Sequence, residues 1–255
     1  MTLKKLALIT GGTSGLGYAC ATKLAQHYDL ALAYGSNEEK AILAKSQIQA
    51  NFPECRVELF KGELNGHKTA QELYSRVGEQ FTNSPAILIN SAGRLRDGLF
   101  LNMDFSVQEE MVQEHLLTTM ALSYLCLKNM YKEKFGRIIN FSSVSANYFK
   151  KGQVGYACVK SGIEGFTKCL AMEVAHRGIT INALAPGLIE TPMTQKMVDE
   201  LREEKSLRKK IPIGRAGRPE EVGELALFLC SENASYITGS VITIDGGRSL
   251  GDNSV

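Results

Sequence analysis

Short apolar runs alternate with longer amphipathic stretches along nearly the whole chain, and this alternation constrains the fold more than any other feature. The runs are apolar almost throughout, as strands covered on both faces should be. They predict strands near residues 6–10, 30–34, 56–61, 86–90, 137–141, 180–183 and 241–244. Between them, the predicted helices include 15–27, 38–51, 68–81, 106–131 and 153–176. Strand and helix in strict alternation imply right-handed crossovers, so we expect an α/β fold. Its core is a doubly wound parallel sheet of about seven strands, with ligands at their carboxyl ends.

Composition limits the classes of protein to which the chain can belong. A chain of 255 residues, 44% hydrophobic and 22% charged, suits one large domain over residues 1–255. The net charge of +2 gives no reason to expect a nucleic acid or a membrane surface as partner. No apolar stretch approaches the roughly 20 residues of a membrane span. The opening MTLKKLALITGG leads straight into a glycine turn, which predicts a first strand rather than a signal peptide.

The placement of cysteine and histidine bears on the cellular compartment and on metals. The six cysteines stand singly, without a Cys-x-x-Cys pair, which fits neither a zinc site nor a disulfide framework. They predict reduced thiols used as small core residues in a cytoplasmic protein. The four histidines have no metal-ligand spacing, so no metal is expected.

A glycine-rich turn, TGGTSGLG, occupies residues 10–17 between the first predicted strand and the first helix. Glycine lets a backbone approach a pyrophosphate closely, and the N-terminus of the following helix favours an anion. The turn therefore predicts a dinucleotide phosphate site formed by Gly11, Thr13, Ser14, Gly15, Leu16 and Gly17. Its spacing differs from the common Gly-x-Gly-x-x-Gly fingerprint, and the alternative is a tight connection that binds nothing.

The second predicted strand ends at Tyr34, Gly35, Ser36 and Asn37, without a carboxylate to bind the diol of an adenosine ribose. A 2′-phosphate would meet no repulsion there, and the Ser36 hydroxyl and Asn37 amide can hydrogen-bond it. Tyr34, Ser36 and Asn37 therefore favour NADPH over NADH, although no arginine stands beside them as a cationic clamp. The alternative is that Ser36 and Asn37 only cap the next helix.

A tyrosine and a lysine four residues apart lie in YACVK, and a serine stands thirteen residues before the tyrosine. Tyr156 and Lys160 share one helical face, where the ammonium can hold the phenol's pKa below its usual value of about 10. Ser143 ends the apolar run RIINFSS and can direct its hydroxyl at the same spot, while Ser142 is expected to be structural. A proton donor, a cation that tunes it and a hydroxyl that holds a carbonyl oxygen would serve carbonyl reduction.

These motifs stand in the order found in one known family. TGGTSGLG, the NSAG after the fourth strand, the Ser143, Tyr156 and Lys160 set, PGLIETPM and SYITGSVITIDGG resemble the short-chain dehydrogenase/reductase family from about residue 3 to residue 247. The resemblance implies a single NAD(P)-binding Rossmann-type domain with a substrate lid near residues 188–215. It also implies cofactor contacts from Glu63, Leu64, Asn90, Ala92, Gly93, Tyr156, Lys160, Pro186, Gly187, Ile189 and Thr191.

Several segments, among them GRIINFSSVSA and HRGITINALAPGLIETPMT, are similar to the 3-oxoacyl-(acyl-carrier-protein) reductases of that family. The similarity implies NADPH-dependent reduction of a carrier-bound 3-oxoacyl thioester, with Tyr156 as general acid and Ser143 holding the carbonyl oxygen. Lys134 and Arg177 fall where such enzymes dock an acidic carrier protein beside the active-site mouth; alternatively, both are solvated surface charges. A homotetramer that pairs the helices around 106–131 and 153–176 is implied as well.

Two positions depart from the family pattern. His115 stands where the family has an asparagine that supports a water relay to the lysine, which predicts either a modified relay or a structural histidine. Glu63 replaces an aspartate near the adenine, and its longer side chain makes that contact less secure. Two other functions stay open: a dehydrogenase of another secondary alcohol, and a cofactor-binding regulator that has lost catalysis.

Overall fold

One seven-stranded sheet with helices on both faces forms the frame of the molecule, in a computed structural model that describes residues 4–251. The strands are Lys5–Thr10 (β1), Tyr28–Tyr34 (β2), Val57–Lys61 (β3), Pro85–Asn90 (β4), Gly136–Phe141 (β5), Ile179–Pro186 (β6) and Val241–Ile244 (β7). Their order across the sheet is β3-β2-β1-β4-β5-β6-β7, and every neighbouring pair is parallel. The predicted doubly wound α/β fold is therefore confirmed.

The helices connect successive strands. They are Gly15–Leu24 (α1), Glu38–Asn51 (α2), His67–Gln80 (α3), Phe105–Met111 (α4), Thr118–Glu133 (α5), Val154–Val174 (α6), Gln195–Glu203 (α7), Leu207–Lys210 (α8) and Pro219–Cys230 (α9). Between α4 and α5, Val112–Leu117 forms a π-helical segment, so the single helix predicted over 106–131 is wrong in one respect. An inserted residue widens one turn there, which periodicity alone does not detect.

Two apolar layers cover the sheet and explain why its strands are apolar throughout. In β1, Ile9 packs into the layer that contains residues of α1 and α9, whereas its neighbour Leu8 packs into the layer with residues of α3, α5 and α6. Successive side chains of a strand point to opposite faces, so a strand covered on both sides needs apolar residues at every position. Both residues are fully buried.

The chain turns back at the centre of the sheet, and this places the ligand site. From β1 it runs outward through β2 to β3, then returns to pair β4 with the other side of β1. Beyond the carboxyl ends of β1 and β4 the connections diverge and leave a crevice, where doubly wound folds bind ligands.

The cysteines divide between core and surface. All six are free; Cys20, Cys55, Cys126 and Cys230 are buried, whereas Cys158 and Cys169 are exposed on α6. The prediction of small core residues is therefore correct for four of them and wrong for two. Within residues 4–251, no helix combines the length and apolarity needed to cross a membrane.

Candidate active site

A cleft of about 430 Å³ opens at the carboxyl ends of the strands, and its volume lies within the range of small-molecule sites. It brings together most of the residues that the sequence nominated. From the cofactor set these are Gly11, Ser14, Gly15, Leu16, Tyr34, Glu63, Leu64, Ala92, Gly93, Tyr156, Lys160, Pro186, Gly187, Ile189 and Thr191; Ser143 and His115 join them. One cavity therefore runs from the glycine turn to the tyrosine helix.

Five nominated cofactor residues, Thr13, Gly17, Ser36, Asn37 and Asn90, do not line this cleft. Asn37 caps α2, its Oδ1 accepting from the Lys40 N–H at 2.9 Å, which is the alternative raised for it above. Asn90 is buried beneath the cleft, where its Nδ2 donates to Asn140 Oδ1 at 2.9 Å and so links β4 to β5.

The glycine turn is tightly packed and ends in an open helix N-terminus. A Cβ on Gly17 would lie 2.3 Å from the Gly11 carbonyl oxygen, so this position admits only glycine and serves the turn rather than a ligand. Ser14 is the N-cap of α1, but its side chain makes no capping hydrogen bond. The first N–H groups of α1 thus remain available at the cleft, as binding of a phosphate requires.

Ser143, Tyr156 and Lys160 meet at the other end of the cleft. Ser143 follows β5, and its Oγ accepts from the Ser145 N–H at 3.1 Å, which leaves the hydroxyl proton free to donate. Tyr156 and Lys160 lie one turn apart near the start of α6, with the Lys160 Nζ 5.5 Å from the centre of the Tyr156 ring. The spacing of YACVK and its distance from RIINFSS therefore bring the three side chains together.

The tyrosine is protonated in this environment. Burial raises the pKa of Tyr156 to about 12, and the neighbouring Ser143 hydroxyl opposes that shift only in part. The expectation that Lys160 holds this pKa below its usual value is therefore wrong for the site as it stands. The main reason is burial; the Lys160 Nζ donates to the Phe141 carbonyl at 2.7 Å and lies 5.5 Å from the centre of the Tyr156 ring, and its charge does not offset the loss of solvent.

Lys160 itself is buried, and burial lowers its pKa to about 7. Near neutral pH a substantial fraction of this lysine is therefore uncharged. Its hydrogen bond to Phe141 joins α6 to the end of β5, two residues before Ser143. Lys160 thus holds Tyr156 and Ser143 in register.

His115 lies in the π-helical segment with its ring edge-on to Tyr156, at a centroid distance of 5.8 Å. Its Nε2 donates to the Arg94 carbonyl at 3.0 Å, so Nδ1 is left as an acceptor, and that atom is buried without a partner. Burial lowers the pKa of His115 to about 3, which keeps the imidazole neutral. A Cβ on Gly93 would lie 2.1 Å from this ring, so a glycine there lets the imidazole reach the cleft.

A buried carboxylate that the sequence did not single out holds the loop with Ser143. Glu164 lies one turn after Lys160 on α6 and accepts from Ser142 Oγ at 2.8 Å and from Asn147 Nδ2 at 3.1 Å. These two residues flank Ser143 and the short 3₁₀ helix Val144–Ala146. The Ser142 hydroxyl is therefore engaged in a structural contact with Glu164.

Charged residues after NSAG were also missed, although the run RLRD directly after the fourth strand was a signal for them. Arg94 Nη2 pairs with Glu63 Oε1 at 2.7 Å, so the glutamate expected near the adenine is engaged across the cleft. Arg96 Nη2 pairs with Glu114 Oε1 at 2.9 Å and so fastens this loop to the π-helical segment beside His115.

Lys134 and Arg177 lie near the amino ends of β5 and β6, at the end of the sheet opposite the cleft. Lys134 ends α5 just before β5 begins, and Arg177 stacks on Tyr131 at 4.3 Å just before β6 begins. The cleft lies at the carboxyl ends of these strands. Neither residue therefore flanks the cleft of its own chain, and their role in docking a carrier protein stays a prediction.

Known proteins resemble this chain over nearly its whole length. A protein-family model described as enoyl-(acyl carrier protein) reductase matches residues 11–249. A 3-oxoacyl-(acyl-carrier-protein) reductase of Aquifex aeolicus (strain VF5) is 41% identical, the match covering 95% of this chain and 96% of the relative. An acetoacetyl-CoA reductase of Rhizobium meliloti (strain 1021) is 34% identical over 96% and 99% of the two chains. The solved structure of YwfH, an NADPH dependent reductase involved in bacilysin biosynthesis, matches with a TM-score of 0.89 at 27% identity, covering 96% of this chain and 98% of that one.

Proposed function

Because the chain belongs to the short-chain dehydrogenase/reductase family, we propose that it reduces 3-oxoacyl thioesters to 3-hydroxyacyl thioesters with NADPH, in fatty-acid or polyketide-like biosynthesis. The observation that carries the proposal is the meeting of the Ser143 hydroxyl and the protonated Tyr156 at one end of the cleft. Two O–H donors aimed at one place suit a carbonyl oxygen that gains negative charge during reduction. The relative that is 41% identical bears the name of this activity.

A nicotinamide cofactor fits the cleft. The uncapped N-terminus of α1 suits a pyrophosphate, and Gly11 and Gly15 bring the backbone close to it. When bound, the cofactor would supply the hydride. NADPH rather than NADH is our choice because the end of β2 offers no carboxylate to a ribose diol, and Gly35 lines the cleft where that carboxylate would stand.

The catalytic roles follow from the state of each side chain. Ser143 donates a hydrogen bond to the carbonyl oxygen, since its bond with the Ser145 N–H uses a lone pair and not the hydroxyl proton. Tyr156 gives its proton to the same oxygen as general acid, and its raised pKa keeps it protonated at neutral pH. Lys160 positions both through the Phe141 carbonyl, and the neutral His115 packs against the Tyr156 ring.

Two names among the similar proteins define the alternatives. Enoyl reduction leaves both the hydride and the proton on carbon, whereas carbonyl reduction leaves the proton on the oxygen, which is where the O–H donors of Ser143 and Tyr156 serve, so the site favours the 3-oxoacyl substrate. The name acetoacetyl-CoA reductase describes the same reaction with CoA, rather than a carrier protein, attached to the acyl group. Both alternatives would use the same cleft; the first differs in the bond that is reduced and the second only in the carrier of the acyl group.

The test is a reductase assay of the purified protein with acetoacetyl and crotonyl thioesters, each with NADPH and with NADH. We expect NADPH oxidation with the acetoacetyl thioester only, and a loss of about 10²- to 10⁴-fold in rate for Tyr156→Phe. Binding of NADPH, followed by its fluorescence, serves as the control and should survive that substitution. Absence of NADPH oxidation with every 3-oxoacyl thioester would refute the proposal.

A homotetramer and a lid over the cleft complete the proposal. Apolar side chains exposed along α5 and α6, including Met120, Tyr124 and Met172, support the pairing of these helices with a second copy. Residues 188–215 contain α7 and α8 and pack around Val198 and Leu201 in a small apolar cluster of their own, which supports a lid. Such a segment can move as a unit.

A further inference from the structure

Three cations line a second cavity of about 520 Å³ outside the cofactor cleft. They are Lys150, from the segment that follows Ser143, Lys210, from the end of α8, and Arg248, from the turn after β7. Tyr148 and Leu201 line the same cavity. We call this cavity with its three cations the basic pocket. Its walls come from three separate parts of the chain, so its charge is assembled by the fold rather than by one basic run.

The charge of the basic pocket is not neutralised by ion pairing. Among the residues that the structure describes, none of the three cations is within salt-bridge distance of a carboxylate. Two acids, Glu200 and Glu204, also line the cavity. The Lys196 contact with Glu200, at 4.0 Å, and the hydrogen bond from Ser206 Oγ to Glu204, at 3.1 Å, do not remove the charges of these acids, so three cations and two carboxylates leave the lining with a formal net charge of +1.

The cations also disfavour one another. Burial lowers the pKa of Lys150, and the charges of Arg248 and Lys210 lower it further, while Asp97 acts in the opposite direction. Burial likewise lowers the pKa of Arg248, against the effect of Tyr148 and Asp245. Positive groups brought together and partly removed from water are costly unless an anion joins them.

Hydrogen bonds anchor the two segments that contribute Arg248 and Lys150 to the basic pocket. The Asp245 carboxylate accepts from the Gly247 N–H at 2.9 Å and from the Ser249 N–H at 2.7 Å, which fixes the turn that presents Arg248. On the other side, the Gly98 N–H donates to the Gly152 carbonyl at 2.9 Å, which anchors the segment with Lys150. Arg248 and Lys150 are therefore presented by anchored segments, whereas Lys210 belongs to the proposed lid and joins them when the lid has the position seen here.

The basic pocket adjoins the substrate end of the cleft rather than its glycine turn. Both cavities are lined by the start of the lid: Met193 and Thr194 face the cleft, and Met197 faces the basic pocket. Both also use the segment after β5, with Ser143 in the cleft and Tyr148 in the basic pocket. A ligand that spans the two would place a reactive group at Ser143 and an anion among the three cations.

On the basis of the proposed function, we propose that the basic pocket binds the phosphate at the end of the pantetheine arm of the thioester substrate. The arm carries this phosphate whether it is attached to a carrier protein or to CoA. Arg248 supplies a planar fork of donors for phosphate oxygens, and the two lysines add point charges. Contact with the phosphate then draws the thioester toward Ser143 and Tyr156.

The kinetic test compares three acetoacetyl thioesters, those of pantetheine, of 4′-phosphopantetheine and of CoA. For Lys150→Gln and for Lys210→Gln we expect KM for the phosphopantetheine and CoA thioesters to rise about tenfold, with kcat unchanged. KM for the pantetheine thioester should not move, because that compound has no phosphate. Lys209→Gln, which removes an exposed lysine of α8 outside the basic pocket, is the matched control and should leave all three values unchanged.

A binding measurement separates this proposal from the proposed function. Calorimetric titration of the wild-type protein with 4′-phosphopantetheine should show tighter binding than with pantetheine, and Arg248→Gln should remove the difference. Equal binding of the two compounds by the wild type would overturn the proposal. Tighter binding of CoA without tighter binding of 4′-phosphopantetheine would also overturn it, because the nucleotide phosphates of CoA would then be the ligand. If the titration succeeds while no thioester is reduced, the reductase proposal fails and the phosphate site stands.

Discussion

At the scale of the residue, burial decides which form of each catalytic group is present. The sequence identifies Ser143, Tyr156 and Lys160 by spacing alone, and the structure brings all three to one place. Spacing does not reveal that Lys160 turns to the Phe141 carbonyl, nor that Tyr156 is buried enough to stay protonated. Electrostatic roles depend on solvent exposure and on the direction of each side chain, which only the folded chain supplies.

The pH dependence of the reaction follows from the raised pKa of Tyr156. Because that pKa is about 12, the acid form needed to donate a proton predominates throughout the neutral range, and reduction should show no alkaline fall assignable to Tyr156 between about pH 7 and 10. The reverse oxidation needs the phenolate, so its rate should rise with pH over the same interval. Initial rates in both directions at saturating cofactor measure this. An alkaline fall with a midpoint between about pH 8 and 10, above the region near pH 7 where Lys160 titrates, would contradict it, provided that circular dichroism shows the fold intact.

Glu164 offers a second prediction at this scale, since it is buried outside the cleft lining and would act only by positioning the loop with Ser143. Glu164→Ala leaves the Asn147 Nδ2 donor unpaired and restricts Ser142 Oγ to its longer contact with the Lys160 carbonyl at 3.3 Å, which should cost about 1–3 kcal/mol of stability. It should also lower kcat by releasing the loop that carries Ser143. Glu164→Gln retains an acceptor and should restore most of kcat, which a general loss of stability would not allow. Glu173→Ala, at an exposed position of the same helix, is the control for both measurements, kcat and Tm.

At the scale of the element, periodicity predicts where helices and strands lie but not their irregularities. Helix α2 has the predicted bounds, 38–51, because its limits are set by local residues such as the Asn37 cap. The π-helical turn around His115 was not predicted, because it depends on contacts with the loop after β4, including Arg96 with Glu114. To predict the end of the sheet at which Lys134 and Arg177 lie likewise requires the strand direction, which no local pattern gives.

The lid should behave as an element with a core of its own. Leu201 is buried among Leu188, Val198, Ile211 and Ala216, apart from the two layers of the sheet. Leu201→Ala should therefore open the lid locally, raising KM for the thioester and amide exchange in α7, while Tm changes little. Leu122→Ala, in the layer packed on the sheet, should instead lower the free energy of unfolding by roughly 2–5 kcal/mol, as loss of a buried leucine does, and with it Tm. An equal fall in Tm for both variants would show that the lid is part of the main core.

At the scale of the whole molecule, an oligomer would give a role to Lys134 and Arg177, the two basic residues at the end of the sheet opposite the cleft. Lys134 and Arg177 lie beyond the ends of α5 and α6, whose starts lie toward the cleft. If a two-fold axis pairs these helices with their counterparts, the end of each helix comes beside the start of its copy. The positive pair of one chain then flanks the cleft of the other. A docking role for these residues thus depends on the pairing that the exposed apolar side chains support.

This dependence makes the oligomer and the carrier protein testable together. Lys134→Glu with Arg177→Glu should raise KM for an acetoacetyl carrier protein at least tenfold, yet leave KM for acetoacetyl-CoA unchanged, because only the carrier protein presents an acidic surface. The effect should weaken as salt is added, since exposed charges are screened. Tyr124→Glu, which buries a charge in the paired helices, should dissociate the oligomer by light scattering and raise the same KM without touching either basic residue. A monomer that used the carrier substrate as well as the oligomer does would show that docking needs no second copy.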